Sequence, residues 1–319
     1  MKLMGSSDAG ATRLSFATSL SQIAQANGAA EQKKINSVAP MGLGATSAPV
    51  YYPASPGFDV WVEGHFQRFD DELGGHDQDG DFGILYVGAD YLVSSWLLVG
   101  ALVQFDWMDQ QTPSLSNADV RGRGWMAGPY ATVKFSDHLF FDARAAWGES
   151  DNDITPLGTY TDSFDTERWL AKANLTGNWN FGHLYVTPSV GVIYVEEKAE
   201  TYVDTPGNTI LGQTVRLGRL TFGPEFRYKS YGTDGSILEP HISFTGMWDF
   251  DEDDDANVAN VGGLLVSDDD FRVKIEAGLL AHNPNFSAAS FRGTVSYDGL
   301  GDNDFSAWGG QLWVNWPLN

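Results

Sequence analysis

The chain has 319 residues, of which 42% are apolar and 19% charged, and it contains no Cys. That excludes a disulfide scaffold, a thiolate zinc site and a thiol nucleophile. Forty-two acids against nineteen bases give a net charge of -23, which would repel a phosphate backbone, and an aromatic content of 13% argues against wholesale disorder.

The first ten residues, MKLMGSSDAG, have no apolar core. They read as a tag remnant rather than a signal peptide, so the native N-terminus is expected to be missing. Residues 11–37 are rich in Ala, Ser and Gln without Pro, which suits a helix of low hydrophobicity. Residues 38–57 (VAPMGLGATSAPVYYPASPG) carry Pro and Gly repeatedly and read as a linker.

From Phe58 onward the pattern changes to period two and keeps it to the end. About twelve alternating segments follow: 58–69, 82–91, 96–107, 121–134, 139–148, 166–179, 184–196, 216–228, 237–249, 271–281, 290–297 and 305–316. Most run to about 10–14 residues, against about 5 or 6 in soluble sheets and about 9–11 for a tilted membrane strand. No stretch offers the roughly 20 apolar residues of a spanning helix. The most apolar one, 91–105, is interrupted by Ser94 and Ser95 and bracketed by Asp90 and Asp106. A mean hydropathy of -0.24 looks soluble, but it is blind to a barrel whose lipid-facing residues occupy every second position.

Connections alternate in kind. After the even segments come compact turns: LVSS, FSD, NFGH, KSYGTDGS and HNPNFSAA. After odd ones come polar loops such as DDELGGHDQDGD, ESDNDITPLGTYTDSFD and DEDDDANVANVGGLLVSDDD. An even strand count with short turns on one side and long loops on the other is the pattern of a transmembrane barrel. Most acids lie in or beside the long loops, whereas bases sit at alternate strand positions: Arg123, Arg144, Arg168, Lys172, Arg219, Arg227, Arg272, Lys274 and Arg292. In 271–281, Phe271, Val273, Ile275, Ala277 and Leu279 share one face, and Arg272, Lys274 and Glu276 the other. Periodicity fits both a sandwich with a solvated charged face and a barrel with a charged lumen. Aromatic belts favour the barrel: Trp96, Phe140, Phe141, Trp179 and Trp316 fall near short-turn ends, and Trp107, Trp147, Trp169 and Trp248 near long-loop ends.

The expected fold is all-β, a 12-stranded antiparallel transmembrane β-barrel over 58–319, with an N-terminal α-helix threading the lumen. A twelve-stranded bore lies between barrels filled by side chains and open porins, and should admit one helix of about 10–12 Å diameter. Residues 15–30, SFATSLSQIAQANGAA, are suitably small and polar. About 26 helical residues would reach roughly 39 Å, enough to cross the hydrocarbon core. An exposed N-terminal helix or a disordered arm is the plainer alternative.

Twelve such strands behind a poorly hydrophobic helix resemble the translocator domain of Gram-negative autotransporters (type V secretion). The strands that carry the likeness are ILYVGADYLV (84–93), FFDARAAWG (140–148), TPSVGVIYVEE (187–197), RLGRLTFGPEFRY (216–228), LEPHISFTGMW (238–248) and FRVKIEAGLLA (271–281). The chain departs from the family in closing on Trp316, Pro317, Leu318 and Asn319 rather than on an aromatic residue. The resemblance implies a monomeric bacterial outer-membrane translocator and anchor that supports export of an N-terminal passenger. Its implied partners are outer-membrane lipid and lipopolysaccharide, the barrel-assembly machinery, periplasmic chaperones and the passenger. No cofactor, ATP site or nucleic acid is expected. A 12-stranded passive channel or small-solute porin is the alternative.

The lumenal residues expected to contact and position the helix are Glu63, Asp106, Arg123, Asp142, Arg144, Arg219, Glu225, Arg227, Arg272 and Glu276. Some autotransporters cleave themselves within the helix at an Asn near lumenal acids. Asn27 and Asn36 are weak candidates here, with Asp90 and Glu239 among further acids able to assist, but neither stands in an Asn–Asn dipeptide. Ion pairing with lumenal Arg is the plainer role for these acids. A hydrolase would need a His beside Ser or Asp. Of six His only His65 and His241 face the presumed lumen, and there is no GxSxG elbow, so no enzyme is expected. The acidic runs 251–255 and 268–270 lack the spacing of a calcium loop and read as solvated surface, so no metal is expected.

Overall fold

A computed structural model describes residues 58–318 except 74–75, 95, 114–117, 234, 253–259, 262–263, 266–269, 283–289 and 303. The expected helix at 11–37, the linker to 57, and Asn27 and Asn36 lie outside the described residues, as does most of the two acidic runs.

Twelve long strands run in order: β1 (Phe58–Leu73), β2 (His76–Ser94), β3 (Leu97–Thr112), β4 (Ala118–Ser136), β5 (Leu139–Thr155), β6 (Asp162–Gly177), β7 (Leu184–Ala199), β8 (Thr214–Tyr228), β9 (Ile237–Glu252), β10 (Phe271–His282), β11 (Ser290–Leu300) and β12 (Phe305–Leu318). Each pairs antiparallel with the next. The ring closes where β1 pairs with β12, from Phe58 opposite Leu318 to Asp71 opposite Phe305. Closure leaves no open sheet edge, the condition for a β-structure to stand in lipid.

Closure also settles which face points where. Val62, Phe66, Leu85 and Phe105 are exposed on the outer wall, whereas Glu63, Gln67, Gln104 and Asp106 on the same strands are buried inside. The apolar set thus faces out and the polar set in, the reverse of a soluble sandwich. Trp96 and Trp179 are exposed at the short-turn end, and Trp107, Trp169 and Trp248 toward the long-loop end. Phe140 corrects the expected belt. It is 0% exposed and points into the lumen. Position 140 shares its side of β5 with Asp142 and Ala146, so strand parity overrides its nearness to the turn.

Short turns are tied to one another. The Asn178 amide donates to the His138 carbonyl at 2.9 Å, and the Lys229 amide to the His183 carbonyl at 2.8 Å. Several expected long loops are mostly strand. DDELGGHDQDGD is a continuing hairpin in which Asp71 faces Gln78 and Leu73 faces His76. Likewise β5 runs on to Thr155 and pairs with β6 up to Asp162. These extensions are mostly polar on both faces, with Ile154 and Phe164 as inward apolar exceptions, so they carry little alternation to read.

Candidate functional site in the barrel lumen

Lumenal side chains form groups that reach past the neighbouring strand. Toward the short-turn end, Trp61 on β1 donates through Nε1 to the Tyr130 hydroxyl on β4 at 2.9 Å. Tyr130 in turn donates to Asp90 Oδ2 on β2 at 2.5 Å. Gly88, opposite Trp61 on β2, leaves the space its indole occupies.

A second group joins β3, β5, β6 and β7. Arg168 Nη1 lies 2.9 Å from Asp106 Oδ1, and its Nε 3.6 Å from Glu197 Oε1. Thr166 donates to Glu197 Oε1 at 2.7 Å. Arg144 donates to Gln104 Oε1 at 2.8 Å and stacks its guanidinium over Tyr86. Asn174 donates to Asp142 at 3.3 Å.

The opposite arc is richer in charge. Arg292 Nη2 on β11 lies 2.6 Å from Glu225 Oε2 on β8. Arg227 bridges Glu225 and Glu239, each at 3.2 Å, and Lys229 Nζ lies 3.3 Å from Glu239. Arg292 Nε donates to His241 Nε2 at 3.2 Å. Lys274 pairs with Glu276 at 3.3 Å. Nearer the long loops, Arg219 holds Asp249 through two hydrogen bonds of 2.5 Å. Arg272 reaches Asp298 at 3.2 Å. Burial of so many ions is tolerable because each is paired.

Of the residues expected in the lumen, Glu63, Asp106, Asp142, Arg144, Arg219, Glu225, Arg227, Arg272 and Glu276 stand on the inner wall. Arg123 does not. It is exposed on the outer face of β4 with Arg121 and Trp125, while Val120, Gly122 and Met126 point inward. Charge alone gave it the wrong side. Its strand neighbours fix the parity. Residues outside that expectation, Arg168, Glu197, Asp249, Lys274, Arg292 and Asp298, belong to the same networks. Their signal was present: Lys274 shares its strand face with Arg272 and Glu276. His65 and His241 both face inward. Among the described residues no group of three or more His, Asp or Glu is placed to hold a metal ion.

The family model described as "Autotransporter beta-domain" matches residues 60–289. Among solved structures, the barrel is similar to the β-domain of the Bordetella autotransporter BrkA, with a TM-score of 0.66 and 15% identity over 82% of this chain and 99% of that one. It is also similar to the translocator domain of NalP from Neisseria meningitidis, with a TM-score of 0.65 and 12% identity over 82% and 88%. The transport unit of AIDA-I from Escherichia coli gives 0.65 and 14% over 92% and 98%. No curated protein matches the chain. The chain belongs to the autotransporter β-domain family, and its barrel is a translocator unit of the bacterial outer membrane.

Proposed function

We propose that residues 11–37 form a helix that threads this lumen, and that the barrel so plugged anchors the chain after a passenger lying N-terminal to it has been exported. The carrying observation is a set of buried inward polar atoms left without hydrogen-bond partners among the described residues. They include Thr187 Oγ1 on β7, His241 Nδ1 on β9, Ser296 Oγ on β11 and Trp313 Nε1 on β12, with Asn152 Oδ1 on β5 and Arg168 Nε on β6 across the lumen. A buried polar atom left unmet costs about 1–3 kcal/mol. Ser19, Ser21, Gln22, Gln25 and Asn27 supply donors and acceptors of the complementary kind. Most of these atoms stand on the arc from β7 to β12 that also carries the Glu225, Arg227, Glu239 and Arg292 network, so the helix would lie nearer that arc.

On this reading the lumenal carboxylates hold arginines and the helix, and do no catalysis. Periplasmic chaperones and the barrel-assembly machinery would deliver a monomer whose tryptophan belts meet lipid and lipopolysaccharide. A passive channel of the same strand number is the competing reading, in which water rather than a helix would meet those atoms. A photo-crosslinking amino acid at position 21 of the full chain separates the two. Crosslinks mapped to inward residues of β7–β12 support the threaded helix. Crosslinks to the outer wall, or none to the barrel, contradict it.

A further inference from the structure

We infer that the outer wall carries two binding sites for the phosphorylated sugar headgroup of an outer-leaflet glycolipid, one centred on Arg68 and the other on Arg123. Exposed bases are spread unevenly over that wall. Among the described residues every exposed Lys or Arg stands toward the long-loop end: Arg68, Arg121, Arg123, Lys198 and Arg216. Toward the short turns Lys134 is largely covered and pairs with Asp137 at 2.6 Å. Anionic headgroups attract bases at the depth where they lie. The asymmetry therefore marks the leaflet on the long-loop side as the one whose headgroups this wall engages.

Two of these arginines stand in matching surroundings. Arg123 on β4 is directly opposite Trp107 on β3 and Asp151 on β5. Arg68 on β1 is directly opposite Trp308 on β12 and Asp81 on β2. Directly opposite residues share a face of the sheet, with Cβ atoms about 5 Å apart. In both triads the indole leans away from the arginine. Trp107 lies over Gly83 of β2, and Trp308 packs on Tyr297 of β11 with ring centroids 4.7 Å apart. Arg121 is taken up by Asp109 and Asp119 at 3.3 and 3.2 Å, and Arg216 by Glu196 at 3.0 Å. Among the described residues the Arg68 and Arg123 side chains form no ion pair or hydrogen bond. Each triad thus offers what a phosphorylated sugar needs. The guanidinium fork matches two phosphate oxygens, the carboxylate accepts from hydroxyl groups, and the indole gives an apolar face at the membrane boundary. The net charge of -23 repels an anion at long range, so recognition rests on these local contacts.

These sites require only that the barrel stands in an outer membrane, and they are independent of what fills the lumen. Native mass spectrometry of the full chain in micelles, titrated with bisphosphorylated lipid A, counts the bound lipids. The parent should hold two. Arg123→Gln and Arg68→Gln should each weaken one site about tenfold or more, and the double variant both. Arg123→Lys, which keeps the charge without the fork, should fall between Arg123→Gln and the parent. Lipid A stripped of its phosphates, and phosphatidylglycerol, should each bind the parent more weakly, and excess inorganic phosphate should not displace lipid A. Lipid A bound equally by the double variant and the parent, or by neither, overturns the sites. Phosphatidylglycerol bound as well as lipid A overturns the sugar assignment, and displacement by inorganic phosphate would mean a site for the free ion instead.

Discussion

Arg168 on β6 reaches across the inner wall to Asp106 on β3, with Nη1 at 2.9 Å from Oδ1 and 3.1 Å from Oδ2. Its guanidinium passes over Gly124 of the intervening β4, in the space where a Cβ would stand. One arginine thus ties together strands that are not ladder neighbours, and it also meets Glu197 on β7. Arg168→Met would leave both acids buried without their counter-charge, an expected loss of about 3–5 kcal/mol. Unfolding in urea from micelles measures it. The double variant with Asp106→Asn should lose less than the single one.

Gly124→Ala tests the same contact without touching a charge. The obstructing atoms are the end of a flexible side chain, so the backbone need not move. What is lost is the Asp106 hydrogen-bond pair, at about 1–3 kcal/mol in the same unfolding measurement. A variant as stable as the parent would show that the arginine finds an equal partner elsewhere.

Arg123→Gln should change stability by no more than about 0.5 kcal/mol, since the side chain is exposed on the outer face. This residue marks how far the sequence could be read. Strand number, closure and the burial of Arg219, Arg227 and Arg272 were legible because an apolar partner flanks each charge at every second position. In β4 charged and aromatic residues share the outer face near the long-loop end, where strands leave lipid and alternation no longer sorts by polarity. Contacts such as Arg168 to Asp106 or Trp61 to Tyr130 depend on barrel curvature, which no single strand records.

Trp61→Phe should cost about 1 kcal/mol through the lost hydrogen bond to Tyr130. Gly88→Ala should cost more, roughly 1–3 kcal/mol, because its methyl group meets the rigid indole of Trp61 rather than a flexible chain end. The order of the two effects in thermal unfolding is the check.

The Tyr202 phenol is pushed up to about 12, mainly by burial and further by Asp162 and Asp204. A phenol whose folded value is raised favours the folded state fully below the ordinary tyrosine value of about 10. That contribution fades as pH rises through about 12. Phenolate absorbance of the parent minus that of Tyr202→Phe should therefore show one group titrating near 12. Titration near 10 would mean the ring is not covered.

The most direct test of the translocator account is surface display. A reporter fused ahead of residue 11, behind a secretion signal, should appear on the outside of Gram-negative cells carrying residues 11–319. It should stay in the periplasm when residues 11–37 are deleted and the barrel still inserts. Equal display with and without 11–37, or none from the full chain in a correctly inserted barrel, would contradict the account.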